Sequence, residues 1–241
     1  QLVRKEADNR VIDLAPPVRL CFVEVREPDM HEPSGDLRRL IEAIEAQWPS
    51  RVTAPISCEL HVLKQLQKTL RAAKWQVTIA LRSGCQIVAI WPGLKEQILG
   101  AAIDVGSTTM SAHLCDMNNG QVLASTGIMN PQIRFGEDLM SRVSHVMLNP
   151  GSDADMTRVV RQAVDGMIGE LVAEVEASPE DVLELVLVAN PIMHHLFLGL
   201  SPVELGMAPF ALATDGAVSV RATNLDLGLH PAARAYWLPC I

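Results

Sequence analysis

No lysine follows Lys95 in this 241-residue sequence; the five lysines are Lys5, Lys64, Lys68, Lys74 and Lys95. A phosphate loop of the Walker type needs a lysine that reaches the phosphates, so residues 101–241 cannot hold one. That half is also acidic, with 6 basic against 16 acidic side chains, whereas residues 1–100 carry 14 and 12. Nucleic acid, whose phosphates demand basic contacts, is therefore not expected as a partner. The contrast between the halves points to two domains. No run approaches the eighteen or so apolar residues that span a bilayer, so no membrane partner is expected. Residues 1–10 are polar and charged and offer no signal peptide. The expected compartment is the cytoplasm, and a first residue of Gln1 rather than Met suggests an excised piece. The cysteines (Cys21, Cys58, Cys85, Cys115 and Cys240) are odd in number and widely spread. That spacing argues against a zinc or iron–sulfur ligand set and against a disulfide framework, and it leaves free thiols as the expectation.

Hydrophobic residues make up 49% and charged residues 20%, the profile of a soluble globular chain. Residues 1–17 read as a linker that ends in Pro16-Pro17, which favours extended backbone. A strand is expected over 18–25, where VRLCFVEV alternates and is rich in β-branched residues. Apolar residues at 37, 40, 41, 44 and 48 predict a helix over 36–48. A second helix over 58–73 would place Leu60, Leu63, Leu66 and Leu70 on one face, and a hairpin follows around Arg82-Ser83-Gly84. Arg38, Arg39, Lys64 and Lys68 are expected on solvated faces. Residues 18–97 thus form a small α+β domain.

From Leu99 the pattern changes. Strands are expected over 99–103, 109–115 and 121–128, with Asn118-Asn119-Gly120 as a strong hairpin turn. Helices follow near 137–147 and over 155–177, then a buried strand over 183–189 and a helix opened by Pro191. The order is β-β-β-α-α-β-α over a domain spanning 98–241. Met140, Met147, Met156, Met167 and Met193 fall on helix faces expected to pack into a core. His194 and His195 are adjacent on a helix, do not face the same way, and are read as an ordinary pair.

A strand ending in Asp104, a turn of Gly106-Ser107-Thr108-Thr109 and a second strand have a specific chemical use. Glycine lets the backbone approach a phosphate. Successive N–H groups and the hydroxyls of Ser107, Thr108 and Thr109 can surround phosphate oxygens without a lysine. A carboxylate at Asp104 can hold magnesium through its water shell. The same residues would also serve as a plain hairpin turn with a capping aspartate.

The segment AAIDVGSTTMSAHLCDMNNGQVL resembles the first phosphate motif of the superfamily that unites actin, heat-shock chaperones and the acetate and sugar kinases. Asn130-Pro131-Gln132, Phe135-Gly136-Glu137-Asp138, Ser141-Arg142-Val143, the run from Ala189 to Leu196, and Ala208-Pro209-Phe210 are similar to one branch of it. That branch is the ATP-dependent reductive activators of corrinoid proteins, and the region around 75–93 is similar to its middle domain. The resemblance implies an α/β fold: the first half of an actin-like (ribonuclease H-like) ATPase domain, preceded by the small α+β domain. It implies ATP and Mg2+ as cofactors, with Asp104 positioning magnesium and Gly106, Ser107, Thr108 and Thr109 cradling phosphate. Gln132, Glu137 and Asp138 stand where superfamily members often keep a residue that orients or activates water. Two carboxylates at a helix start would equally favour the helix dipole. Asn190, at the end of a buried strand, is expected to face the nucleotide.

Family members also carry a two-iron, two-sulfur ferredoxin-like domain, for which this chain has no cysteine spacing. A second phosphate loop and an adenosine motif are absent as well, so the fragment alone is expected to be inactive. The function implied is a component of an activator that returns a corrinoid protein from Co(II) to Co(I), with that protein as partner and a homodimer as one arrangement. A phosphotransferase of the acetate or sugar kinase kind, and a partner-binding scaffold with a degenerate actin-like half, are the alternatives.

Overall fold

The computed structural model describes residues 14–31 and 33–240. They adopt a mixed α/β fold divided into two compact units, one of residues 14–98 with 117–119 and the other of residues 99–116 with 120–240. Residues 1–13 of the expected linker, and Ile241, lie outside the described residues. Among the described residues no helix is long and apolar enough to cross a membrane.

The first unit comprises β1 (Val18–Glu24), α1 (Asp36–Gln47), β2 (Ser57–Cys58), α2 (Leu60–Ala72), β3 (Gln76–Arg82) and β4 (Gln86–Pro92). Its sheet has the order β1-β3-β4-β2, antiparallel except for the β2–β4 pair. The alternation of β1 turns Cys21 and Val23 inward, onto Leu40 and Ile44 of α1 and Val62, Leu66 and Leu70 of α2. The spacing of four along α2 corrects the expected face: Leu66 and Leu70 are buried with Val62, whereas Leu60 is 64% and Leu63 44% exposed. Arg39 is a second correction. It is buried, pairs with Asp36, and donates to the carbonyls of Arg26 (3.0 Å) and Ser34. Local acceptors satisfy the guanidinium, so it has no need of water.

The second unit begins with β5 (Leu99–Val105), β6 (Thr109–Asp116) and β7 (Val122–Met129), then α3 (Leu139–Leu148) and α4 (Ser152–Glu174). It continues with β8 (Val182–Ala189), α5 (Pro191–Leu198), β9 (Val218–Arg221) and β10 (Arg234–Trp237). The sheet order is β7-β6-β5-β8-β10-β9. The three central strands β5, β8 and β10 run parallel, and the flanking strands are antiparallel to their neighbours. One face carries Ala101, Ile103 and Val105 of β5, Leu185 and Leu187 of β8, and Ala235 and Trp237 of β10, packed with the apolar sides of α3, α4 and α5. Met156, Met167 and Met193 lie in that core, but Met140 and Met147 are exposed on α3, contrary to expectation. On α3 the inward stripe is Arg142, Val143 and Val146, a phase that turns both methionines outward.

His194 and His195 are both buried, with ring centroids 5.5 Å apart. Nδ1 of His195 meets the Pro191 carbonyl at 2.8 Å, and its Nε2 accepts the Ala213 N–H at 2.9 Å. Neither nitrogen of His194 has a hydrogen-bond partner, nor has the indole N–H of Trp237, whose ring stands edge-on to His194 at 5.1 Å. Burial pushes the His194 imidazole below its ordinary pKa, and neighbouring His195 adds to the effect.

Candidate functional site

The register pairs Val105 of β5 with Ala189 of β8, and Trp237 of β10 with Leu187 of β8. The chain therefore leaves three parallel strands at one edge of the sheet. The carboxyl ends of parallel strands are where open α/β sheets bind ligands. Asp104, the turn from Gly106 to Thr109, and Asn190 all lie at that edge.

Gly106 fits its position because no side chain can. A Cβ there would stand 2.3 Å from the carbonyl oxygen of Thr109. The turn is pinned from beneath. The Asn130 amide donates to the Gly106 carbonyl at 2.8 Å, and the Asn130 backbone N–H donates to the Thr108 carbonyl at 2.8 Å. Nη2 of Arg142 donates to the Ser107 carbonyl at 2.5 Å. A trans peptide carries its N–H antiparallel to its C=O. Fixing these three carbonyls inward therefore turns the N–H groups of Ser107, Thr108 and Thr109 away from Asn130 and Arg142. Consecutive N–H groups presented in this way form a concavity that suits an anion.

Asn130 and Arg142 are themselves buried. Asn130 Oδ1 accepts the Gln132 N–H at 2.9 Å and so caps the short helical turn Pro131–Phe135. Arg142 reaches the Gly136 carbonyl through Nε at 3.0 Å, and Gln132 Oε1 (3.4 Å) and Met193 Sδ (2.9 Å) through Nη1. Its surroundings are carbonyls, an amide and a thioether. Desolvation pushes its pKa below the usual guanidinium value, and the field of Asp138 partly restores it. Gly136 lets α3 start close by, since a Cβ there would lie 2.4 Å from Ser141 Oγ and 2.8 Å from the Arg142 nitrogen.

Gln132 does not join the surface of the site. It is 0% exposed, and its Nε2 donates to the Met156 carbonyl at 2.9 Å while its Oε1 meets Arg142. Those bonds use the amide to hold the loop, which leaves none of it facing solvent water. Asp138 is the N-cap of α3 in a capping box: Oδ1 accepts the Ser141 N–H at 2.7 Å, and Ser141 Oγ accepts the Asp138 N–H at 3.1 Å. The Ser141 bonds hold its carboxyl below the usual carboxylate range. Glu137 is exposed just before that cap. Asn190 caps α5 by accepting the Met193 N–H at 3.0 Å, and it stays half-buried beside the turn.

Asn130 and Arg142 enter the sequence reading only within the motifs that carry the resemblance, with no role assigned to either. Their signals are present nonetheless: an asparagine directly before Pro131, and an arginine in phase with Val143 and Val146 on the inner face of α3.

Among the described residues no group of three or more His, Cys, Asp or Glu is placed to hold a metal ion. The five cysteines are free thiols, spread over both units.

A family described as the RACo middle region matches residues 99–241, and one described as the RACo linker region matches residues 7–97. The chain is 26% identical over 207 residues to RamQ of Eubacterium limosum, a corrinoid activation enzyme, across 85% of this chain and 33% of that protein. A solved structure of a reductive activator for corrinoid, iron–sulfur protein is similar with a TM-score of 0.83 and 27% identity, over 99% of this chain and 38% of that one. The chain thus spans about a third of the length of the curated relative it matches.

Proposed function

The chain belongs to the RACo family, and we propose that it forms the linker and the first half of an actin-like ATPase domain in an activator that returns a corrinoid protein from Co(II) to Co(I). The observation that carries this reading is the turn Gly106–Thr109, whose carbonyls are held inward by Asn130 and Arg142 at the carboxyl edge of three parallel strands. Similarity to RamQ and to the solved activator supports the corrinoid partner.

The residues at this edge fit a magnesium nucleotide. The N–H groups of Ser107, Thr108 and Thr109, with their three hydroxyls, would hold phosphate oxygens. The half-buried carboxylate of Asp104 would position magnesium through water, the manner that ion prefers when few protein ligands reach it. Asn190 would border the nucleotide from the end of β8. Glu137, exposed just before the cap of α3, is the carboxylate left to orient water, because Asp138 is engaged as a cap and Gln132 is buried. When bound, ATP supplies the free energy of a phosphoanhydride bond. The chain converts it into work only by holding the nucleotide and its hydrolysis products with different affinity in two states. The cysteines do not fit an iron–sulfur cluster, so no electron-transfer step is drawn through this chain.

The test uses the full-length gene product, purified anaerobically. Expected are an iron–sulfur absorption spectrum and ATP hydrolysis that Asp104→Ala abolishes. A colourless protein without hydrolysis would sink the activator reading and leave the scaffold. Phosphorylation of a small acid or sugar would instead favour the kinase.

A further inference from the structure

We propose that Arg142 is the positioning residue that stands in for the missing lysine: a buried cation beneath the turn Gly106–Thr109 that fixes its N–H groups toward phosphate. The inference rests on the ATP-binding reading of that turn. It assigns to a residue outside the turn both the shape and much of the positive potential of the site.

Residues 101–241 contain six arginines and no lysine. Of these, Arg158 pairs with Asp155 and Arg161 with Asp226, while Arg134 lies against the Phe135 ring. Arg221 meets the Pro231 carbonyl, and Arg234 meets Ser219 Oγ. Arg142 alone is fully buried, 0% exposed. It donates to the carbonyls of Ser107 and Gly136, to Gln132 Oε1 and to Met193 Sδ, none of them a carboxylate. Taking a guanidinium out of water is costly, and neutral acceptors solvate it without cancelling its charge. The exposed Asp138 carboxylate offsets part of that charge, and the remainder is felt through the one peptide that separates it from the mouth of the turn. An anion cradled by the N–H groups of Ser107 to Thr109 would supply the counter-charge from the far side. The low local dielectric makes that attraction stronger than a solvated lysine would provide.

Arg142 does this without touching ligand. Its Nη2 bond fixes the Ser107 carbonyl, and Asn130 fixes the two carbonyls on either side. The planar fork also spans acceptors on three segments: the turn, the Pro131–Gly136 stretch and α5. A single ammonium has the charge but cannot reproduce that fork.

The experiment compares full-length wild type with Arg142→Lys and Arg142→Met, reading KM and kcat for ATP hydrolysis and the inhibition constant of inorganic tripolyphosphate. In Arg142→Met the KM for ATP and the tripolyphosphate constant rise by the same factor, about tenfold or more, as loss of a charge-assisted bond implies. The kcat stays within about threefold, on the general expectation for an interaction that binds ground and transition states alike. Arg142→Lys recovers part of the loss. Should Arg142→Met fail to fold, Asn130→Asp is the second variant. It keeps the oxygen that accepts from Gln132, loses the donor to Gly106, and is expected to weaken both phosphate ligands together. Wild-type KM values in the variants would overturn the assignment while leaving ATP binding intact. So would a fall in kcat alone, or a weakening of ATP without tripolyphosphate. A wild-type protein that binds neither ligand would refute the ATP-binding reading itself.

Discussion

Replacing Gly106 by alanine adds one methyl group where the backbone of Thr109 already stands. The new carbon would lie 2.3 Å from the Thr109 carbonyl oxygen. Ordinary contact between such atoms needs about 1 Å more. The atom in the way is main chain, so the turn itself must open. Opening it strains the bonds from Asn130 to Gly106 and Thr108, both at 2.8 Å, and the bond from Arg142 to Ser107. Overpacking of this kind costs about 1–3 kcal/mol. In a chain of this size that corresponds to a fall in Tm of about 2–12 °C. The cost to binding is larger in proportion, since about 1 Å of misplacement at a reacting site is worth about a hundredfold. Thermal unfolding of the chain and the KM for ATP of the full-length protein are the two readouts. Gly166→Ala is the matched control. Gly166 is exposed within α4, nothing lies within 4 Å of its Cβ position, and alanine there is expected to stabilise by about 0.5–1 kcal/mol. A Gly106→Ala protein with wild-type Tm and wild-type KM would mean that the turn is not held as tightly as these bonds require.

His194→Leu removes a buried imidazole with two unpartnered nitrogens and is expected to leave stability at neutral pH unchanged or higher. Because the folded-state pKa of His194 is lowered, the unfolded chain takes up the proton first. Wild type should therefore lose stability as pH falls below about 6.5, by up to about 1.4 kcal/mol per pH unit, until the folded-state pKa is passed. The variant should lack that part of the slope in urea titrations at pH 7 and pH 5, and identical slopes would contradict the assignment. Gln132→Leu should lower stability by about 1–3 kcal/mol, because it deprives the Met156 carbonyl and Arg142 of a buried partner. A loss of kcat at unchanged stability would show instead that Gln132 acts on reacting water. Burial, with a smaller contribution from Glu59, pushes the Cys58 thiol up to about 11. Only about one molecule in a thousand is then thiolate at pH 8, and alkylation by iodoacetamide should be far slower than that of free cysteine. A comparable rate would rule out that environment.

Much of the fold is legible in the sequence because its elements satisfy local rules. The apolar run of β8, the alternation of β1, the Asn-Gly turn after β6 and the proline that opens α5 each specify an element without help from distant residues. The parts that escape are those decided by tertiary packing. β9 and β10 are four residues each, too short to show a period, and β10 exists because it adds to β8 in parallel. The inward face of α2 is set by Val62, Leu66 and Leu70, and a row of leucines in the sequence suggests a different phase. Arg39 appears solvated from its type, yet its buried position is created by Asp36 and two carbonyls that only the fold brings together.

The candidate site divides along the same line. Asp104 and the residues of the turn are legible as a candidate site because the features that would suit an anion are local: a strand end, a glycine without room for a Cβ, and three hydroxyls in a row. What orients that turn is not local, since Asn130 is 24 residues from Gly106 and Arg142 is 35 from Ser107. Their side chains are also polar groups in buried positions, which hydrophobic patterning treats as breaks in a core. Such positions persist only when their donors are answered; Asn130 is answered by the Gly106 and Thr108 carbonyls, and Arg142 by the Ser107 carbonyl together with Gly136, Gln132 and Met193. The bond from Arg142 to Ser107, one of those that make the guanidinium tolerable inside the core, thus also turns an N–H group of the turn outward. In an acidic, lysine-free segment, placing the cation beneath the backbone rather than at the surface keeps its charge away from screening by solvent.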